Sequence, residues 1–173
     1  MLKAELKAVE EIIAPTGVIF LPNTAYDEVL EGVYIGEKGF AMNKDKLKQL
    51  GITYVLNAAE GTGFGKVDTG KDFYDDDVTY MGIRATDVMG YDMEPHFRLA
   101  SEFIKTAVSG GHKILVHCVE GVSRSASLVI AYCMLDLKMT LKEAVARIRA
   151  KRNVSPNTGF LKQLIQFEQT LQK

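Results

Sequence analysis

The residues best suited to chemistry lie together in "HCVEGVSRS", His117 to Ser125. Arg124 follows Cys118 six positions later, with mostly small residues between them. The apolar "KILVHC" before and "ASLVIAYCMLDL" after mark the stretch as a loop joining a buried strand to a buried helix. A tight loop at a helix N-terminus aims successive backbone N–H groups into its own concavity. Together with the helix dipole, such a nest binds a phosphate dianion. The donors are the N–H groups along Val119, Glu120, Gly121, Val122 and Ser123. Gly121 permits the sharp bend, and the planar Arg124 fork matches two phosphate oxygens. The same positive field lowers the thiol pKa of Cys118 from its usual value of about 8.5. A thiolate there is placed to attack phosphorus in line while Arg124 holds the equatorial oxygens. Ser125 has a hydroxyl to donate to the sulfur when it later departs. His117 reads as a residue that orients the loop, not as a base, because the thiol is already ionised.

Such a reaction needs an acid for the leaving oxygen. "RATDVMGYDMEP" supplies Asp87, Asp92 and Glu94. Asp87, four residues after a strand end, is the best placed, and Asp92 reads as a cap for the helix that opens at Pro95. The second cysteine, Cys133, sits in apolar "AYCM" as a buried structural thiol. About 13 Å of helix past Arg124 separates it from any disulfide with Cys118. "GKVDTGKD", Gly65 to Asp72, nearly matches a nucleotide-binding P-loop, but Asp72 stands where a hydroxyl is required. That stretch is expected to be a mobile surface loop.

The surrounding elements follow from periodicity and caps. Residues 2–13 predict a helix ended by Pro15 and Gly17, and "VIF" (residues 18–20) and "GVYIG" predict short strands. Asn43 caps a helix through "KDKLKQL" that Gly51 stops. "ITYVLNAA" and "VTYMGI" are predicted strands, and apolar residues recur at helical spacing from Pro95 to Val108. Thr140 and Glu143 form a capping box, and "NVSPNTG" separates that helix from a last one through "FLKQLIQFEQTLQ". Strands alternating with helices predict an α/β fold, a central twisted, mostly parallel sheet of about five strands flanked by helices. The 173 residues fit one globular unit: a catalytic domain over 27–173, preceded by an N-terminal helix and lead-in over 1–26. That helix is expected to pack on the sheet.

A formal net charge of -1 offers no global attraction for nucleic acid or anionic membrane, so neither is an expected partner. Two cysteines and three scattered histidines supply neither a disulfide framework nor a zinc spacing, so no metal or cofactor is expected. The chain shows no signal-peptide core, membrane span or lipidation motif, and a reducing cytoplasm or nucleus is the expected location.

The loop resembles the signature of cysteine-dependent protein tyrosine phosphatases of the dual-specificity branch. "LGITYVLNAAEG", "FYDDDVTYMGIRATD", "SLVIAYCM" and "SPNTGFLKQL" extend the likeness to the small atypical dual-specificity phosphatases, from about Asp27 to Leu171. The resemblance implies hydrolysis of phosphotyrosine and phosphoserine or phosphothreonine in proteins, kinases phosphorylated on Thr and Tyr among them, by a monomer or weak homodimer. It makes Cys118 the nucleophile, Arg124 the phosphate binder, Asp87 the acid and Ser125 the aid to phosphocysteine breakdown. Asn157 matches an asparagine that supports the loop. Glu120 matches a contact to the bound peptide. Arg152 matches a residue that meets a second phosphate, the alternative being a solvated cation at a helix end. Val119 and Val122 depart from close relatives, which carry a basic and an aromatic residue there. Pocket shape and substrate choice are what this change affects.

Overall fold

The structure, a computed structural model, describes residues 1–173. Its sheet has five strands: β1 (Tyr26–Leu30), β2 (Val33–Gly36), β3 (Ile52–Asn57), β4 (Thr79–Gly82) and β5 (Lys113–His117), in the order β1-β2-β5-β3-β4. Only the β1–β2 pair is antiparallel. Gly36, Asn57, Gly82 and His117 pair across the parallel strands, so four carboxyl ends finish in one row. In an open α/β sheet this edge is where ligands bind. β5 lies at the centre of that row.

The helices are α1 (Leu2–Ile13), α2 (Lys38–Ala41), α3 (Lys44–Leu50), α4 (Phe97–Ser109), α5 (Arg124–Leu135), α6 (Leu141–Arg149) and α7 (Thr158–Leu171). Alternation along β5 sorts its residues between two cores. Ile114 and Val116 face the main core with α4–α7, and Leu115 faces a smaller one with Phe40 and Leu47. α5 is buried from Arg124 to Met134, as expected of a helix that is apolar all round. The predicted caps are in place. The Asn43 carboxamide accepts from the Lys46 N–H, Gly51 ends α3 at φ 78°, and Thr140 and Glu143 form the capping box.

Three expectations fail. Residues 18–20 form no strand; Val18, Ile19, Phe20 and Leu21 are all more than half exposed, with no neighbouring strand to bond them. α1 packs on α6 and α7, not on the sheet. It places Val9 and Ile13 in the main core, and the Ile13 carbonyl accepts from Arg149 Nε. Nor is the Gly-rich stretch a loose loop. Val67 and Thr69 are buried, and the buried Asn57 Nδ2 lies within hydrogen-bond distance of Val67 O, Thr69 Oγ1 and the Tyr80 hydroxyl. No helix is long and apolar enough to cross a membrane.

Candidate active site

β5 ends at His117 and α5 begins at Arg124, so Cys118–Ser123 form a loop over the central carboxyl end of the sheet. Gly121 adopts φ 67°, where a side chain is strained. A Cβ there would also lie 2.6 Å from Gly36 O and 2.8 Å from Arg152 Nη2. The loop is pinned from three sides. Lys38 N–H donates to Val119 O, Ser155 N–H to Val122 O, and Asn157 N–H to Ser123 Oγ.

Cys118 Sγ sits at the base of this loop, 3.3 Å from Ser125 Oγ, in a residue that is 3% exposed. Burial by itself raises the thiol pKa. The Ser125 hydroxyl, the Ser125 N–H, the Arg124 charge and the Val122 N–H together outweigh it, and the net shift is downward. Cys133 lacks those donors, and burial pushes its thiol up to about 12. Both cysteines are free. His117 is fully buried, which holds its pKa down at about 4, so the ring is neutral near pH 7. Its Nδ1 lies 3.1 Å from Cys118 O. A carbonyl can only accept, so this nitrogen carries the proton and orients the loop.

Arg124 Nη1 donates to Gly65 O at 2.8 Å and Ala85 O at 3.1 Å, while its buried Nε has no partner within the chain. An orphaned buried donor of this kind calls for an anion. The two carbonyls brace the guanidinium from behind, one of them from the stretch that sequence reasoning set aside. The same stretch brings in Lys66, whose Nζ donates to Arg84 O, Ala85 O and Thr86 Oγ1. Burial and the charges of Arg124 and Arg84 hold the Lys66 pKa below its ordinary value. No spacing in the sequence pointed to this lysine.

Asp87 is exposed on the loop after β4, and its Oδ1 accepts from Asn157 Nδ2 at 2.9 Å. Asn157 also caps α7 by accepting from Phe160 N–H. One side chain thus ties the acid to a helix end, while its backbone ties the helix end to the cysteine loop. Asp92 is no cap. The N–H groups of Met93 and Glu94 are accepted by Gln163 Oε1, contributed by α7 some 70 residues later, and Gln163 Nε2 donates to Tyr91 O.

Arg152 lies beneath the loop and is 3% exposed, so it is not a solvated helix-end cation. Its Nε donates to Gly121 O, Nη2 to Glu120 O, and Nη1 to Thr24 O and Asp27 Oδ2. Every guanidinium nitrogen has a partner within the chain. Glu120 and Val119 reach the rim, and Val122 is 9% exposed in the wall. The resulting cleft of about 420 Å³ brings together Lys66, Asp87, Cys118 and Arg124 with Ser155 and Asn157. A buried sulfur of lowered pKa, a braced cation with a free donor, and a tethered carboxyl group are the parts that phosphoryl transfer through sulfur requires.

Residues 33–170 match the model of the dual specificity phosphatase catalytic domain. The chain belongs to this family. The phosphatase is 43% identical to mouse and human "Dual specificity protein phosphatase 26" over 148 residues, covering 85% of this chain and 69% of those relatives. Among solved structures, a mouse putative dual specificity phosphatase superposes with a TM-score of 0.76 at 26% identity, covering 91% of this chain and 94% of that one. Human DUSP28 has a TM-score of 0.76 at 24% identity, a likeness of fold, over 89% of this chain and 100% of its own. The phosphatase is thus a dual-specificity protein phosphatase on an α/β scaffold, and its substrates are phosphoproteins.

Proposed function

We propose that this phosphatase works by a two-step transfer through Cys118, with Arg124, Ser125 and Asp87 in the roles that their geometry supports. The Cys118 thiolate attacks phosphorus, and the bond from phosphorus to the tyrosine, serine or threonine oxygen breaks. Asp87 gives its proton to that leaving oxygen. Arg124 directs Nε at the equatorial oxygens while Nη1 stays on Gly65 and Ala85, and the loop N–H groups complete the cradle. Water then attacks the phosphocysteine as the Asp87 carboxylate takes its proton. The S–P bond breaks with its electrons on sulfur, which the Ser125 hydroxyl stabilises, and inorganic phosphate leaves.

The observation that carries this reading is the buried Cys118 Sγ, 3.3 Å from Ser125 Oγ within the loop headed by Arg124. We also place the protein in a reducing compartment, the cytoplasm or nucleus, because a thiolate of lowered pKa is readily oxidised elsewhere. Kinases phosphorylated on Thr and Tyr belong to the substrate set we infer. With the donors of Arg152 committed beneath the loop, their second phosphate must find another contact. The test is release of phosphate from an aryl phosphate and from doubly phosphorylated peptides in the presence of a metal chelator. Turnover is expected in the parent and absent in Cys118→Ser, which keeps its affinity for phosphopeptide. Turnover surviving in Cys118→Ser would remove the sulfur from the mechanism.

A further inference from the structure

We propose that the cavity between the end of α1 and the start of α7 is a subsite for a bulky aliphatic side chain of the substrate polypeptide, close in sequence to the phosphorylated residue. The proposal rests on the protein-phosphatase reading above and goes beyond it by naming what the enzyme selects.

The cavity measures about 490 Å³, within the range of about 300–1,000 Å³ usual for ligand sites. Three separate segments build it. Ile13, Ala14 and Ile19 come from the end of α1 and the run after it, Met89 from the acid loop, and Pro156 and Leu161 from the entry to α7. Leu161 is buried as a floor, whereas Ile19 and Met89 are 59% and 66% exposed. Large apolar side chains left in water around a concavity mark a binding surface.

The cavity adjoins the catalytic cleft, because Ser155 and Asn157 line both. Met89 lies two residues from Asp87, so a chain whose phosphate occupies the cradle can reach this wall within a few residues. The wall is set before substrate arrives. A Cβ at Gly159 would collide with the Met89 carbonyl, so only glycine allows the acid loop to seat this closely on α7. A preformed apolar pocket binds without an ordering cost.

Charge fixes the nature of the occupant. The cradle side carries Arg124 and Lys66, while the far side of the cavity carries Glu10 and Glu11 against Lys7. A polypeptide that runs from phosphate to aliphatic residue to basic residue complements this order. An anionic lipid surface does not complement two carboxylates.

The experiment uses the full chain and phosphotyrosine peptides in an alanine-rich background, with one leucine walked through about four positions on either side of the phosphoresidue. At one position leucine should raise kcat/KM about tenfold over alanine in the parent. Ile19→Asp, and independently Ala14→Trp, which fills the space, should abolish that gain. Turnover of an aryl phosphate and of the all-alanine peptide should persist in both variants. Equal kcat/KM at every position, or a leucine preference surviving both substitutions, overturns the subsite. Loss of a phosphoinositide activity on vesicles in Ile19→Asp, with no peptide preference, would give the cavity to lipid and equally overturn it. Parent protein inert on the aryl phosphate and on every peptide would instead sink the phosphatase reading itself.

Discussion

Arg152 separates two accounts of the same residue, one in which it meets a second phosphate and one in which it holds the loop. Consider Arg152→Met, which keeps an unbranched apolar stem and removes the donors. The substitution strands Gly121 O, whose hydrogen bond is buried, and frees Glu120 O, Thr24 O and the Asp27 carboxylate, which are part-buried. Leaving a buried acceptor unsatisfied costs about 1–3 kcal/mol. Asp27 is 23% exposed and retains the Thr24 hydroxyl as a donor, so most of its loss is recovered from water. Adding a few tenths for each partly wet acceptor gives about 3 kcal/mol in all. For a chain of this length that corresponds to a fall in Tm of about 6–12 °C. Because Gly121 and Glu120 belong to the phosphate loop, kcat should fall for singly and doubly phosphorylated peptides alike. Scanning calorimetry and peptide kinetics on the parent and the variant provide both readouts. An unchanged Tm, with kcat/KM lost only for doubly phosphorylated peptides, would refute the reasoning and restore the second-phosphate role.

Asp87→Asn removes the proton but leaves an amide able to bond Asn157. Its kcat should drop about 10²–10⁴-fold for phosphoserine peptides and far less for aryl phosphates with acidic phenols; an equal loss across leaving groups would exclude Asp87 as the acid. Lys66→Met releases the carbonyls that align the acid loop. It should lower kcat about tenfold or more without a matching rise in KM, with partial rescue by Lys66→Arg, and wild-type kinetics would show that the loop aligns without it. His117 is held neutral by burial, with a folded-state pKa of about 4 against about 6.5 in the unfolded chain. Unfolding therefore takes up a proton in that window. The stability this residue contributes is complete above about pH 6.5 and is lost as pH falls toward 4, amounting to about 3 kcal/mol. Urea unfolding between pH 7 and 4.5 tests this, as does the ring titration seen by NMR; a His117 midpoint near 6.5 in the folded protein would contradict it.

Most of the fold was legible because its signals are local. The Asn43 and Thr140 caps, the apolar run of α5 and the loop glycine each declare themselves within a few residues. "VIF" looked like a strand for an equally local reason, a short run of apolar residues, but a strand exists only with a partner to bond. What stayed hidden depends on pairs distant in sequence. Gln163 caps Met93 from another element, and Arg152 reaches back to Asp27 across 125 positions. Lys66 was hidden by its neighbours, since a glycine-rich stretch carries no periodicity from which to infer where either of its two lysines points.

The hidden contacts share a purpose that motif reading cannot supply. Ala85 O accepts from both Lys66 and Arg124, and Asn157 bonds Ser123 Oγ through its backbone and Asp87 through its side chain. The acid loop and the phosphate loop therefore share two anchor points on opposite sides of the cleft. An acid that must reach the leaving oxygen within about 3 Å needs such anchoring, because an exposed loop left to itself samples positions too widely to hold that distance. The signature residues name the chemistry, and these shared anchors set the distance at which it proceeds.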